Sequence, residues 1–220
     1  MHYTHALFPE TNTLAWLPAM STQLSNVLLL LKGLIGLLLY ISSWNIALAK
    51  DLIIDDRTSG NSSSNLGTQW RMFTDQVMGG VSNGELTLDN YKGRNCLRMR
   101  GDVSTDNNGG FVQMSLDLTN DGAFDASSYA GIEIIVSGNN EHYNIHLRTT
   151  DLWLPWQSYR YSFEAISDWQ TISIPFKDIK AYRTTAEFHR EKLKRIGLVA
   201  IGRSFKADLC VASIKLYTVN

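Results

Sequence analysis

From Gln69 to the C-terminus the chain alternates apolar and polar side chains in short runs, separated by clusters of Gly, Asn, Asp and Ser. The segments "QWRMF", "GELTLD", "CLRMR", "FVQMSLDL", "GIEIIV", "YNIHLRT", "SYRYSFE", "WQTISIPF", "RIGLVAIG" and "CVASIKLYTV" each place alternate residues on opposite sides, as a strand with one buried face does. About ten such runs with turn residues between them predict an all-β, antiparallel β-sandwich of jelly-roll type. Helix is minimal: only "TAEFHREKLKR", Thr185 to Arg195, has a helical look, and its one apolar pair, Phe188 and Leu193, supports one or two turns. The stretch "RTSGNSSSNLGTQ" before the first of these runs holds a single large apolar residue, Leu66, and is expected to be a flexible loop.

The first 49 residues differ in kind, with Glu10 and Lys32 as their only acidic and basic residues and the apolar run "NVLLLLKGLIGLLLYISSWNIALA". Lys32 precedes an apolar core of signal-peptide length, and Ala47-Leu48-Ala49 gives a small-x-small cleavage pattern, so export with cleavage after Ala49 is expected, to a periplasmic or extracellular location. Val27 to Ile46 is also about long enough to span a bilayer, which leaves a retained membrane anchor as the other reading. Residues 1–49 are therefore a signal peptide or anchor, and residues 50–220 a single β-sandwich domain whose membrane contact would run through the anchor alone.

Charge narrows the function classes. With 20 basic and 21 acidic residues the net charge is −1, which argues against general nucleic-acid binding. The basic surplus lies in Lys177 to Lys206, with nine basic and three acidic residues, and reads as a solvated face. Cys96 is out of phase with Leu97 and Met99, whereas Cys210 shares phase with Ala212, Ile214 and Leu216. One thiol should then face outward and the other inward, so the two are expected to remain unpaired.

Candidate chemistry is sparse. Gly80-Val81-Ser82-Asn83-Gly84 matches the pattern of a hydrolase nucleophile elbow, a remote alternative, but the strand-like "GELTLD" follows it where a helix is required. His142 and His146 are four residues apart on a strand, about 13 Å between Cα atoms, too far to share one ion. Neither a Cys-x-x-Cys pair nor a phosphate loop is present, so no catalytic residue, metal or cofactor is expected. Asn144, His146 and Arg148 share the polar face of their strand, with Trp156 and Tyr159 in the aromatic-rich segment after it. These five are the candidate binding residues for a protein or a carbohydrate, Arg148 offering a planar donor fork. In "DQVMGGVSNGE" the glycines are expected to give φ freedom to a tight connection and Asn83-Gly84 to form its turn, while Val77 and Met78 either form an apolar contact surface or, as the preferred reading, plug one end of the sandwich.

Trp70, the run Asp75-Gln76-Val77-Met78-Gly79-Gly80-Val81-Ser82, then Leu97-Arg98-Met99-Arg100-Gly101, Asn108-Gly109-Gly110-Phe111 and Trp169-Gln170-Thr171-Ile172-Ser173-Ile174-Pro175-Phe176 follow one another in an order that resembles the complex I intermediate-associated protein 30 family. The likeness covers almost all of the chain after Lys50. It implies a galactose-binding-like jelly roll, related in architecture to carbohydrate-binding modules and without established catalytic residues. It also implies a protein partner, such as subunits of a membrane complex, since the namesake assists assembly of respiratory complex I. The motif residues Asp75, Met78, Gly79, Gly80, Ser82, Gly109 and Gly110 become a second candidate site on that ground.

Overall fold

The computed structural model describes residues 50–218, so the apolar leader and its expected cleavage pattern lie outside the described residues. Twelve strands form: β1 (Leu52–Asp55), β2 (Trp70–Thr74), β3 (Asn83–Tyr91), β4 (Arg94–Val103), β5 (Phe111–Asp117), β6 (Gly131–Ser137), β7 (Glu141–Thr149), β8 (Ser158–Ala165), β9 (Gln170–Pro175), β10 (Lys180–Tyr182), β11 (Leu193–Ile201) and β12 (Phe205–Tyr217). One sheet has the order β3-β4-β12-β6-β9 with β1 also paired to β12, and the other runs β10-β8-β7-β11-β5-β2. All pairings are antiparallel. Each of the ten alternating runs is a strand. The short β1 and β10 are additions, and "TAEFHREKLKR" contributes only a single 3-10 turn, Arg190–Lys192, before entering β11.

The inner faces meet in one core, including Met99, Met114, Leu116, Ile134, Tyr143, Ile145, Leu198 and Leu209. Such sheet-on-sheet packing is the standard solution for two half-apolar sheets. The Ser/Asn/Gly stretch after β1 is pinned rather than loose. Arg57 folds back on Asp55 in a buried ion pair and donates to the carbonyls of Asn61 and Ser63, while Trp70 Nε1 donates to Asp55 Oδ2 at 2.6 Å.

Cys96 and Cys210 are joined, 114 residues apart in sequence and 5.5 Å apart at Cα, contrary to the expectation from phase. The reason is a bulge in β12 between Val211 and Ser213, which resets the alternation. Val211, upstream of it, and Ile214, downstream, both reach the core, so Cys210 points outward as Cys96 does. There the disulfide packs with Ala212, Tyr91, Ile135 and Trp169.

Candidate functional site

At the end of the sandwich where β2, β4 and β11 finish, the two glycine motifs meet over one carboxylate. Thr74 caps a 3-10 turn, Asp75–Met78, and Gly79 closes it in the left-handed region at φ 88°. Asp75 is fully buried. Its Oδ1 accepts from Ser82 N at 2.9 Å, and its Oδ2 from Ser82 Oγ at 2.5 Å, Gly110 N at 2.5 Å and Phe111 N at 3.2 Å. Burial pushes the carboxyl pKa up, but these bonds together hold it below the usual carboxylate value.

The glycines are explained by the same carboxylate. A Cβ on Gly80 would overlap the Asp75 carboxyl group, and one on Gly109 would press against the same group from the other side. Only Gly79 of the first motif needs its positive φ; Gly80 needs the missing side chain, and Asn83-Gly84 opens β3 instead of forming a turn. Ser82 is buried, its hydroxyl accepting from Ser104 N at 2.9 Å while donating to Asp75. It is therefore a structural bridge between the two motif loops and is not presented to a substrate. Val77, Met78 and Val81 are 71%, 60% and 46% exposed. The expected plug is thus an outward apolar rim on a turn held from beneath.

The sequence-predicted residues on the second sheet scatter. Asn144 accepts from the Ser162 hydroxyl on β8. Arg148 donates to the backbone carbonyls of Leu152, Leu154, Pro155 and Gln157, so its fork is occupied by its own following loop. Tyr159 points inward, buried, with its hydroxyl donating to the carbonyls of Ala186 and Glu187. Trp156 is exposed, and so are Trp153 and Leu154 beside it. His146 is nine-tenths buried, and burial, then the nearby Arg160 charge, push its pKa down to about 3.

Strand register places His146 in one transverse row, Lys180-Arg160-His146-Gly197-Ser115-Arg71, which crosses all six strands of this sheet. His146 Nε2 and Ser115 Oγ, on either side of Gly197, are buried without a hydrogen-bond partner among the described residues. Ser115 and Arg160 are contributors that sequence reasoning missed, because the row is assembled across strands. No group of acidic, His or Cys side chains among the described residues is arranged to hold a metal ion.

The family model for complex I intermediate-associated protein 30 matches residues 59–211, the span that carries both glycine motifs. The chain belongs to that family. In the complex I intermediate-associated protein 30 fold seen here, the buried Asp75 and the glycines around it form the structural centre of one end of the matched span. No curated protein sequence matches the chain. Solved structures similar to it include a family 11 carbohydrate-binding module from Clostridium thermocellum, in complex with a β-1,3-1,4-mixed-linked tetrasaccharide. That match has a TM-score of 0.62 at 14% identity and covers 79% of this chain and 98% of that one. A family 30 carbohydrate-binding module of the C. thermocellum cellulosomal cellulase Cel9D-Cel44B matches with a TM-score of 0.56 at 16% identity, over 78% of this chain and 99% of that one. At such identities the likeness is one of fold, and it agrees with a jelly-roll sandwich.

Proposed function

We propose that this chain is a non-enzymatic protein-binding module that assists assembly of a membrane complex related to respiratory complex I. Family membership supports the class of function. The observation that carries the reading is the exposed Val77-Met78-Val81 rim on a turn fixed by the buried Asp75. Exposed apolar side chains on a preorganised loop lose little conformational freedom when covered, which favours a protein partner. Complementation tests this: cells lacking the chain, given the parent or the Val77→Asp/Met78→Asp variant, are compared on native gels for assembled NADH:quinone oxidoreductase. We expect the variant to accumulate normally but to fail in assembly. Normal assembly of the complex in the deletion strain would reject the role.

A second reading, carbohydrate binding, is favoured by a separate observation. The unpartnered His146 Nε2 and Ser115 Oγ lie in a polar row on a sandwich whose fold is shared with carbohydrate-binding modules. Buried polar atoms without partners suit a hydroxylated ligand. Migration through gels containing mixed-linked β-glucan, with His146→Ala as control, separates this reading from the first. Retardation lost in the variant supports it, and unretarded parent protein rejects it for that glycan.

A further inference from the structure

We infer that the end of the sandwich opposite the glycine loop docks on an anionic lipid bilayer, with Trp153, Leu154 and Trp156 entering the interface. Trp153 is 89% exposed, and Leu154 and Trp156 are 43% and 48% exposed. Four carbonyls of this loop are gathered by Arg148, so the aromatic side chains are displayed on a fixed frame. Tryptophan is favoured at the membrane interface, where its ring is partly apolar and its N–H stays wet.

Cations flank the loop. Trp156 and Gln157 lead directly into β8, whose Ser158 and Arg160 pair with Tyr182 and Lys180 of β10, and Arg183 follows. Arg160, Lys180 and Arg183 join no ion pair among the described residues. Basic side chains beside interfacial aromatics are attracted to anionic headgroups.

With the apolar run retained as a membrane anchor, the second of the two readings of the leader, connectivity selects a bilayer over other occupants of such a surface. The apolar run Val27 to Ile46 precedes Lys50 by only a few residues, and β1 begins at Leu52. Leu52 pairs with Leu216 at the end of β12. From there Ala130 N donates to Tyr217 O, Arg190 to Tyr129 O, and Thr150 N to Lys192 O. The chain thus enters the domain at the same end of the sandwich as the tryptophan loop. An apolar segment held in a bilayer would bring this end, and not the Val77-Met78 rim, to the lipid surface.

The test uses the full chain in vesicles of phosphatidylcholine with phosphatidylglycerol, with ordinary or brominated acyl chains. Emission of a Trp153→Phe/Trp156→Phe variant is subtracted from that of the parent, which leaves the signal of these two residues and removes that of Trp16 and Trp44 in the leader. We expect this difference signal to fall at least about twofold in brominated vesicles. Lys180→Glu/Arg183→Glu, at two exposed positions, should weaken that quenching without changing the thermal midpoint. A difference signal equal in brominated and ordinary vesicles overturns the inference. So does a signal that stays unquenched by lipid but shifts on addition of β-glucan, which would assign the loop to a carbohydrate.

Discussion

Asp75 holds two loops together through four donors on two oxygens, and the Ser82 hydroxyl also reaches the Ser104 carbonyl at 3.2 Å. Asp75→Asn would turn an N–H₂ group toward some of those donors, so we expect a loss of about 3 kcal/mol in urea unfolding, from buried donors left unpaired. Gly80→Ala should be at least as damaging, because its methyl group would occupy the space of the Asp75 carboxyl. Parent-like stability in both variants would refute this assignment. His146 supplies a pH dependence. Its folded pKa of about 3 lies below the roughly 6.5 of an unfolded histidine, so the unfolded chain takes up the proton first. The contribution to stability is complete above about pH 6.5 and declines as pH falls from there toward 3, by about 1.4 kcal/mol per pH unit. His146→Gln should flatten the stability profile between roughly pH 6.5 and 4.5; equal slopes for parent and variant would show that another group is responsible.

At the scale of elements, the loop between β7 and β8 depends on Arg148. Its side chain satisfies four carbonyls that turn inward on one another. Arg148→Ala is expected to speed amide exchange across residues 152–157 and to lower stability by about 1–3 kcal/mol, the range for removing hydrogen bonds to a charged group. Unchanged exchange in this segment would mean that the loop holds itself. This role was not legible in the sequence, where alternation correctly put Arg148 on the polar face but said nothing of the following loop curling back over it. The strands themselves were legible. Their period of two is a local property, and each of the ten runs from "QWRMF" to "CVASIKLYTV" became a strand, with the alternation reset at the bulge in β12. Thr185 to Arg195, expected to hold one or two helical turns, holds a single 3-10 turn at Arg190–Lys192, because charged helix formers give local propensity without an apolar stripe to stabilise a helix.

Over the whole molecule, the disulfide ties β4 to β12, the central pair of its sheet, across 114 residues of sequence. Closing so long a loop restricts the unfolded chain, and the loss on reduction is expected to be about 4 kcal/mol. Thermal melts with and without reductant would measure it, and coincident melts would show that the bond contributes little. The two ends of the sandwich also differ in character: one carries the apolar rim over Asp75, the other the tryptophan loop and the point of chain entry. A binding partner and a membrane could therefore be engaged together without competing for one surface.

The sequence by itself determined ten of the twelve strands, the sandwich class and the family, because alternation and the glycine motifs are written in consecutive residues. Only the tertiary structure decided what the motifs are for. Asp75 reaches Gly110 and Phe111 at sequence separations of 35 and 36, and nothing local marks it as the acceptor they share. The same holds for the cysteines. A single-residue bulge in β12 inverted the phase on which their separation had been argued, and whether a strand bulges is settled by its pairing with a distant neighbour.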